Sequence, residues 1–149
     1  MSLKERSDQY LSGVIGRFYE LEISHGKGCY LYDTAGKAYL DFGSGIAVAS
    51  TGHCHPAVSD AIKKQADTLI HPCIAIGYYE PLASACENVT ALTGSDEYRV
   101  FFTQSGSEAV ETALKCAKYV SKRKKVIAFN GGFHGRTIGA LSVTSSKKT

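Results

Sequence analysis

Two short polar stretches carry groups that could bind a charged ligand. The first, which we call the serine turn, is Ser105, Gly106 and Ser107; it follows an apolar run and precedes a helical pattern. Backbone N–H groups at a helix start lack intrahelical partners and lie at the positive end of the helix dipole, so this turn could seat a phosphate. The second stretch, residues 133–137, supplies an aromatic face and a fixed cation. Together they indicate a phosphorylated aromatic ligand and a carboxylate substrate.

A purely structural interpretation of the serine turn stays open at this point. Ser105 and Glu108 fit the S-x-x-E pattern of a capping box, in which the serine only caps the helix. A complete box would compete with a phosphate for the same backbone amides. The small residues Gly106 and Ser107 favour a ligand, because they allow an anion to approach the backbone closely.

The elements around the serine turn form a predicted β-α-β unit. Residues 99–104 and 126–130 are short runs rich in β-branched and aromatic residues, which is typical of buried strands. Residues 106–121 between them carry apolar side chains at helical spacing. In such a unit the two strands are expected to be parallel and the crossover between them right-handed.

The first half of the sequence predicts a hairpin and two further helices. Strands are expected near residues 29–32 and 38–42, joined by a turn in which Gly36 takes positive φ. Pro56 and Pro81 each suit the beginning of a helix.

Composition limits the possible classes of function. A chain of 149 residues with a formal charge of +3 is about one domain and only mildly basic. The basic run 122–125 ends a predicted helix and carries no interleaved aromatics, so we expect no nucleic-acid binding. The five cysteines form no C-x-x-C pair, and no apolar run could span a membrane. The expectation is therefore a cytoplasmic protein that does not enter a membrane.

Two other kinds of site are not supported by the residue spacing. His53, Cys54 and His55 do not match a zinc-ligand pattern, so no metal is expected. A hydrolase would need Ser105 or Ser107 with His134, but the serines lack the G-x-S-x-G pattern of a nucleophile elbow.

Four motifs follow one another along the sequence: Asp33-x-x-Gly36-Lys37-x-Tyr39-Leu40-Asp41-Phe42, Gly52-His53-Cys54-His55-Pro56, Ser105-Gly106-Ser107-Glu108-Ala109 and Phe133-His134-Gly135-Arg136-Thr137. From about Tyr19 onward, this series of motifs resembles the class III, pyridoxal-phosphate-dependent aminotransferases. Within that family, residues 45–53 and 79–81 look most like 4-aminobutyrate aminotransferases, and acetylornithine aminotransferases share much of the pattern.

The resemblance implies an α/β fold. It would be the N-terminal part of the pyridoxal-phosphate-dependent transferase fold, which aspartate aminotransferase shares, with an incomplete, mostly parallel sheet. Residues 1–48 would belong to the small domain, and residues 49–149 would begin the large cofactor-binding domain.

The resemblance also implies roles for individual residues. The serine turn would bind the phosphate of pyridoxal 5'-phosphate. Phe133 would stack on its pyridine ring with His134 beside it. Arg136 would grip the substrate carboxylate, a task that suits the guanidinium fork. Ile46 would line the substrate pocket.

The implied reaction moves an amino group from an ω-amino acid such as 4-aminobutyrate to 2-oxoglutarate, in a homodimer. The family relies on a lysine bonded to the cofactor and on an aspartate paired with the pyridine nitrogen. No lysine here stands in a matching context, so no catalytic residue is predicted in this chain, which is expected to be an inactive N-terminal fragment. An acetylornithine- or ornithine-type aminotransferase and a small, non-catalytic phosphate-binding domain are the alternatives.

Overall fold

The computed structural model describes residues 1–146. The chain divides into two compact units, an N-terminal unit of Met1–Ile76 and a C-terminal unit that begins at Gly77. Each unit is described by itself.

A three-stranded antiparallel sheet forms the centre of the N-terminal unit. Its strands β1 (Ile23–Lys27), β2 (Tyr30–Asp33) and β3 (Ala38–Leu40) follow one another in the order β1-β2-β3. The unit begins with helix α1 (Leu3–Tyr10), which Ser2 caps. The predicted hairpin is confirmed as β2 and β3, whereas β1 was not predicted.

Asp33 organises the turn of the hairpin. Its Oδ1 accepts hydrogen bonds from the backbone N–H groups of Ala35 at 2.9 Å and Lys37 at 2.8 Å. The Tyr39 hydroxyl donates to Asp33 Oδ2 at 2.9 Å, and Gly36 has a φ of +83°. The turn therefore has the predicted glycine at a positive φ, and the Asp33 side chain accepts the backbone hydrogen bonds that stabilise it.

Two helical segments follow the sheet. The first, α2 (Ser44–Ala47), is a left-handed turn, because all four of its residues have positive φ. The second, α3 (Pro56–Thr68), has proline in its first turn as predicted.

The C-terminal unit contains three helices. These are α4 (Glu80–Ala91), α5 (Gly106–Ser121) and α6 (Ile138–Ser142), and α6 packs against α5. Helix α5 is confirmed at its predicted bounds, and α4 has Pro81 in its first turn as predicted. Helix α5 ends where Lys122 adopts a left-handed conformation, so the basic run does lie at a helix end.

The expected parallel sheet is not found in the described part of the chain. Residues 99–104 and 126–130 pair with no other strand there, and the sheet that residues 1–146 do form is small and antiparallel. The prediction of a parallel β-α-β pair is therefore not confirmed for these residues. A strand is defined by hydrogen bonds to a neighbouring strand, and the apolar character of a segment does not supply that neighbour.

Little apolar surface is buried in either unit. Among the described residues, Ala140 is the only buried apolar side chain, whereas Phe101, Ile127 and Phe129 are exposed. A search of the same residues finds no helix with the length and apolar character needed to cross a membrane.

Candidate functional site

The serine turn begins helix α5 with half of a capping box. Ser105 is the N-cap, with an extended backbone, and its Oγ accepts the N–H of Glu108 at 3.2 Å. The Glu108 carboxylate accepts the N–H of Gln104 at 2.7 Å, one residue earlier than in a complete box. The protein itself therefore uses the Glu108 amide.

Two further amides of the turn remain available to a ligand. Among the described residues, no protein acceptor is recorded for the N–H groups of Gly106 and Ser107. A Cβ placed on Gly106 would meet no atom within 4 Å. The turn thus combines unpaired donors, the positive end of a helix of 16 residues and open space for an anion.

The 133–137 segment lies directly against the serine turn. The Arg136 N–H donates to Ser107 Oγ at 3.3 Å. Gly135 is buried, and a Cβ there would stand 2.8 Å from Ser107 Cβ and 3.0 Å from Ser107 Cα. The structure therefore brings together the two stretches that the sequence singled out 26 or more residues apart, and only glycine allows so close an approach.

Thr144 and Ser145, which follow α6, hold the backbone of the loop at residues 131–135. Thr144 Oγ1 accepts the N–H of His134 at 3.0 Å and lies 3.1 Å from the carbonyl oxygen of Gly135. Ser145 donates its N–H to the Gly132 carbonyl at 2.8 Å, and its Oγ accepts the Gly131 N–H at 2.9 Å. The backbone of the loop is therefore held by side chains on both flanks.

The side chains of the segment that are predicted to bind a ligand are exposed or half-buried. Phe133 is 64% exposed, so its ring is not a core aromatic. The Arg136 side chain is exposed and forms no ion pair among the described residues. His134 is half-buried, and none of the described hydrogen bonds joins its ring to Ser105 or Ser107. A hydrolase pair is therefore not formed in this part of the chain.

Glu111 is a component of the site that the sequence analysis missed. It lies one helical turn after Ser107, and its Oε1 accepts the N–H groups of Gly139 at 2.7 Å and Ala140 at 3.2 Å. Hydrogen bonds from the Thr137 hydroxyl and from these two amides hold the pKa of the Glu111 carboxyl below its usual range. The four-residue spacing from Ser107 was the available signal, since it places both side chains on one face of α5.

Ile46 belongs to the N-terminal unit and lies in the left-handed turn α2. Its φ is +65° and its side chain is 83% exposed. Such a backbone is unfavourable for a β-branched residue. Asp41 supports the turn, because its Oδ1 accepts the Ser44 N–H at 2.9 Å while its Oδ2 bonds His53 Nε2 at 2.7 Å.

His53 also ties this corner to the sheet. The backbone of His53 exchanges hydrogen bonds of 2.9 and 2.7 Å with Gly28. His53 and the Ser44 amide hold the pKa of Asp41 below its usual value. Among residues 1–146 there is no cluster of three or more side chains suited to a metal ion.

Comparisons with known proteins point to one family. The model of the class-III aminotransferase family matches residues 15–149. The chain is 44% identical over 144 residues to the acetylornithine aminotransferase of Methanopyrus kandleri, covering 97% of this chain and 36% of that protein. It is 37% identical over 143 residues to a 4-aminobutyrate aminotransferase of Escherichia coli, covering 95% of this chain and 34% of that protein.

Solved structures give the same result. An adenosylmethionine-8-amino-7-oxononanoate aminotransferase from Methanocaldococcus jannaschii superposes with a TM-score of 0.85 at 31% identity, over 97% of this chain and 36% of that one. An ornithine aminotransferase from Toxoplasma gondii superposes with a TM-score of 0.79 at 33% identity, over 93% of this chain and 34% of that one. The chain thus spans about a third of the length of the proteins it matches.

Proposed function

Because the chain belongs to the class-III aminotransferase family, we propose that the protein containing it transfers a terminal amino group from an aliphatic amino acid to a 2-oxo acid. Pyridoxal phosphate is the cofactor of this family. When bound, it supplies the electron sink that amino-group transfer requires.

The observation that carries the proposal is the pair of available amides in the serine turn. The N–H groups of Gly106 and Ser107 have no acceptor among the described residues, and a Cβ placed on Gly106 would meet no atom within 4 Å. A phosphate dianion would accept hydrogen bonds from these two N–H groups, and the dipole of α5 would stabilise its negative charge. The residues present therefore fit the phosphate of the cofactor.

The 133–137 segment supplies the other two binding functions in this proposal. The exposed ring of Phe133 offers a flat apolar face for an aromatic ligand, with His134 beside it. Arg136 has an exposed guanidinium that can bind a carboxylate with two parallel hydrogen bonds. Ile46 offers an exposed apolar side chain, which we assign to the wall of the substrate pocket.

The identity of the amino donor is the finer part of the proposal. The relatives named acetylornithine aminotransferase reach 48% identity, whereas those named 4-aminobutyrate aminotransferase reach 37%. Both names describe donors with a terminal amino group on an aliphatic chain that ends in a carboxylate. We therefore propose this chemical class, with N-acetylornithine favoured by identity, 4-aminobutyrate as the second candidate and 2-oxoglutarate as the acceptor.

The remaining assignments are proposals of the same kind. We assign residues 1–48 to the small domain and residues 49–149 to the beginning of the cofactor-binding domain. We also propose a cytoplasmic homodimer. None of the residues described above is assigned a proton-transfer step, so the isolated chain is proposed to be inactive.

The experiment is a donor comparison with the full-length protein that contains this chain. The protein is loaded with pyridoxal phosphate, and glutamate formation from 2-oxoglutarate is measured with N-acetylornithine, ornithine and 4-aminobutyrate in turn. A kcat/KM at least about tenfold higher for N-acetylornithine supports the favoured donor. Preference for 4-aminobutyrate would select the second candidate, and no transfer from any of the three would overturn the proposed donor class.

A further inference from the structure

Two side chains of α5, Ser107 and Glu111, hold the polypeptide that follows residue 132. They lie one helical turn apart on the same face of the helix. Ser107 accepts the Arg136 N–H at 3.3 Å, and Glu111 accepts the Gly139 N–H at 2.7 Å. Ser107 thus contacts the 133–137 segment near its C-terminal end, and Glu111 contacts the chain two residues after the segment.

The Glu111 contact is the stronger of the two by its chemistry. A carboxylate that accepts hydrogen bonds forms shorter and stronger bonds than a neutral hydroxyl. The Glu111 carboxylate takes two backbone amides at the start of α6, where the dipole of that helix also favours a negative charge. Removing it would leave donors at this half-buried helix start without their acceptor.

The packing around Glu111 leaves little freedom. A Cβ on Gly139 would lie 2.8 Å from Glu111 Cδ and 2.9 Å from Oε1, so a larger residue there would force the carboxylate to shift. Ala140, which donates to the same oxygen, is fully buried. The backbone at the start of α6 therefore lies directly against the Glu111 carboxylate on α5.

From this geometry we propose that Glu111 is a positioning residue, which holds the 133–137 segment in register with the serine turn. The inference rests on the proposed function, since the ligand shared by turn and segment is pyridoxal phosphate. Glu111 touches neither the phosphate donors nor the exposed faces of Phe133 and Arg136. Its loss should therefore weaken binding of the aromatic part of the cofactor and leave the phosphate seat intact.

The test compares two ligands in the full-length apoprotein by isothermal titration calorimetry. Pyridoxal phosphate needs both the serine turn and the 133–137 segment, whereas inorganic phosphate needs only the turn. For Glu111→Ala we expect the Kd of pyridoxal phosphate to rise about tenfold or more, because hydrogen-bond donors lose their acceptor. The Kd of inorganic phosphate should stay within about twofold of the wild-type value.

Two further variants keep the test decisive. Glu111→Gln retains a carbonyl acceptor of the same shape, so it should fold and give an intermediate increase in the Kd of pyridoxal phosphate. Glu87→Gln is the matched control, because Glu87 is exposed on α4 and forms no hydrogen bond or ion pair among the described residues; it should behave as wild type.

The outcomes separate the two proposals. If wild type binds pyridoxal phosphate and both Glu111 variants bind it equally well, the positioning role is wrong. If both Glu111 variants lose inorganic phosphate as much as pyridoxal phosphate, Glu111 only stabilises the unit, and the positioning role is again wrong. If wild-type protein does not bind pyridoxal phosphate, the proposed function is wrong, and the positioning role that rests on it is wrong as well.

Discussion

Replacement of Gly135 by alanine should disrupt the contact between the 133–137 segment and the serine turn. The added Cβ would stand 2.8 Å from Ser107 Cβ and 3.0 Å from Ser107 Cα, and closer still to Ser107 Oγ. A serine hydroxyl can rotate away, but the Cα and Cβ of Ser107 belong to the first turn of α5 and cannot. The segment must therefore move away from the turn.

The free-energy cost of Gly135→Ala has two contributions, one from backbone conformation and one from overpacking. Gly135 has a φ of +129°, and a side chain in such a conformation costs about 1–3 kcal/mol. The overpacking against Ser107 adds about 1–3 kcal/mol. Gly131 provides the matched control, because its φ is +80° and a Cβ there would meet nothing within 4 Å. Gly131→Ala should thus show the conformational term without the overpacking.

The assay is titration of the full-length variants with pyridoxal phosphate, followed by absorbance, with urea unfolding midpoints measured in parallel. We expect Gly135→Ala to bind the cofactor about 5–150-fold more weakly than Gly131→Ala, which corresponds to the overpacking term. Equal affinity of the two variants would refute the reasoning, since it would mean that the segment does not need to touch the serine turn.

Three other predictions concern separate parts of the chain. Arg136→Lys should raise KM for carboxylate substrates while pyridoxal-phosphate affinity changes little, because a point charge replaces a fork; steady-state kinetics and a cofactor titration check this, and the reverse pattern would assign Arg136 another role. His53 helps to lower the pKa of Asp41, so this carboxylate stabilises the fold at neutral pH and the benefit disappears as the pH falls through the lowered pKa. In the full-length protein, Asp41→Asn should therefore have a lower Tm than wild type at neutral pH and a smaller further drop in Tm below about pH 4. An equal drop in Tm on acidification of the two proteins would contradict this. Residues 1–149 expressed alone should show no transaminase turnover and should melt without cooperativity or aggregate, because Ala140 is the only buried apolar side chain described; a sharp monomeric melt would show this expectation to be wrong.

Local signals in the sequence were enough for helices α3, α4 and α5 and for the hairpin. Proline at the start of α3 and α4 and a serine cap on α5 act within one turn of the chain, so they can be read without knowledge of the fold. The same holds for Asp33 and Gly36 in the hairpin turn. The candidate site was predicted to the extent that it depends on such local features.

The features that depend on distant contacts were either missed or predicted without confirmation. Residues 99–104 and 126–130 have the composition of strands, yet pairing is decided by neighbours that composition does not reveal. Glu111 was missed because its partners lie 28 and 29 residues away. Glycines mark a break near α2, but positive φ at Ile46 opposes the intrinsic preference of a β-branched residue and must be imposed by its surroundings.

The central claim is that the serine turn binds the phosphate of pyridoxal phosphate. The most direct measurement is calorimetric titration of the full-length apoprotein and its Gly106→Val variant with pyridoxal phosphate, pyridoxal and adenosine monophosphate. Because a Cβ on Gly106 would meet no protein atom within 4 Å, the variant should fold, while its bulk should hinder the approach of a phosphate to the backbone. The account predicts that wild type prefers pyridoxal phosphate over both other ligands and that the variant loses most of that preference. Equal binding of adenosine monophosphate would favour a general phosphate-binding domain, and unchanged binding of pyridoxal phosphate by a folded Gly106→Val protein would contradict the claim.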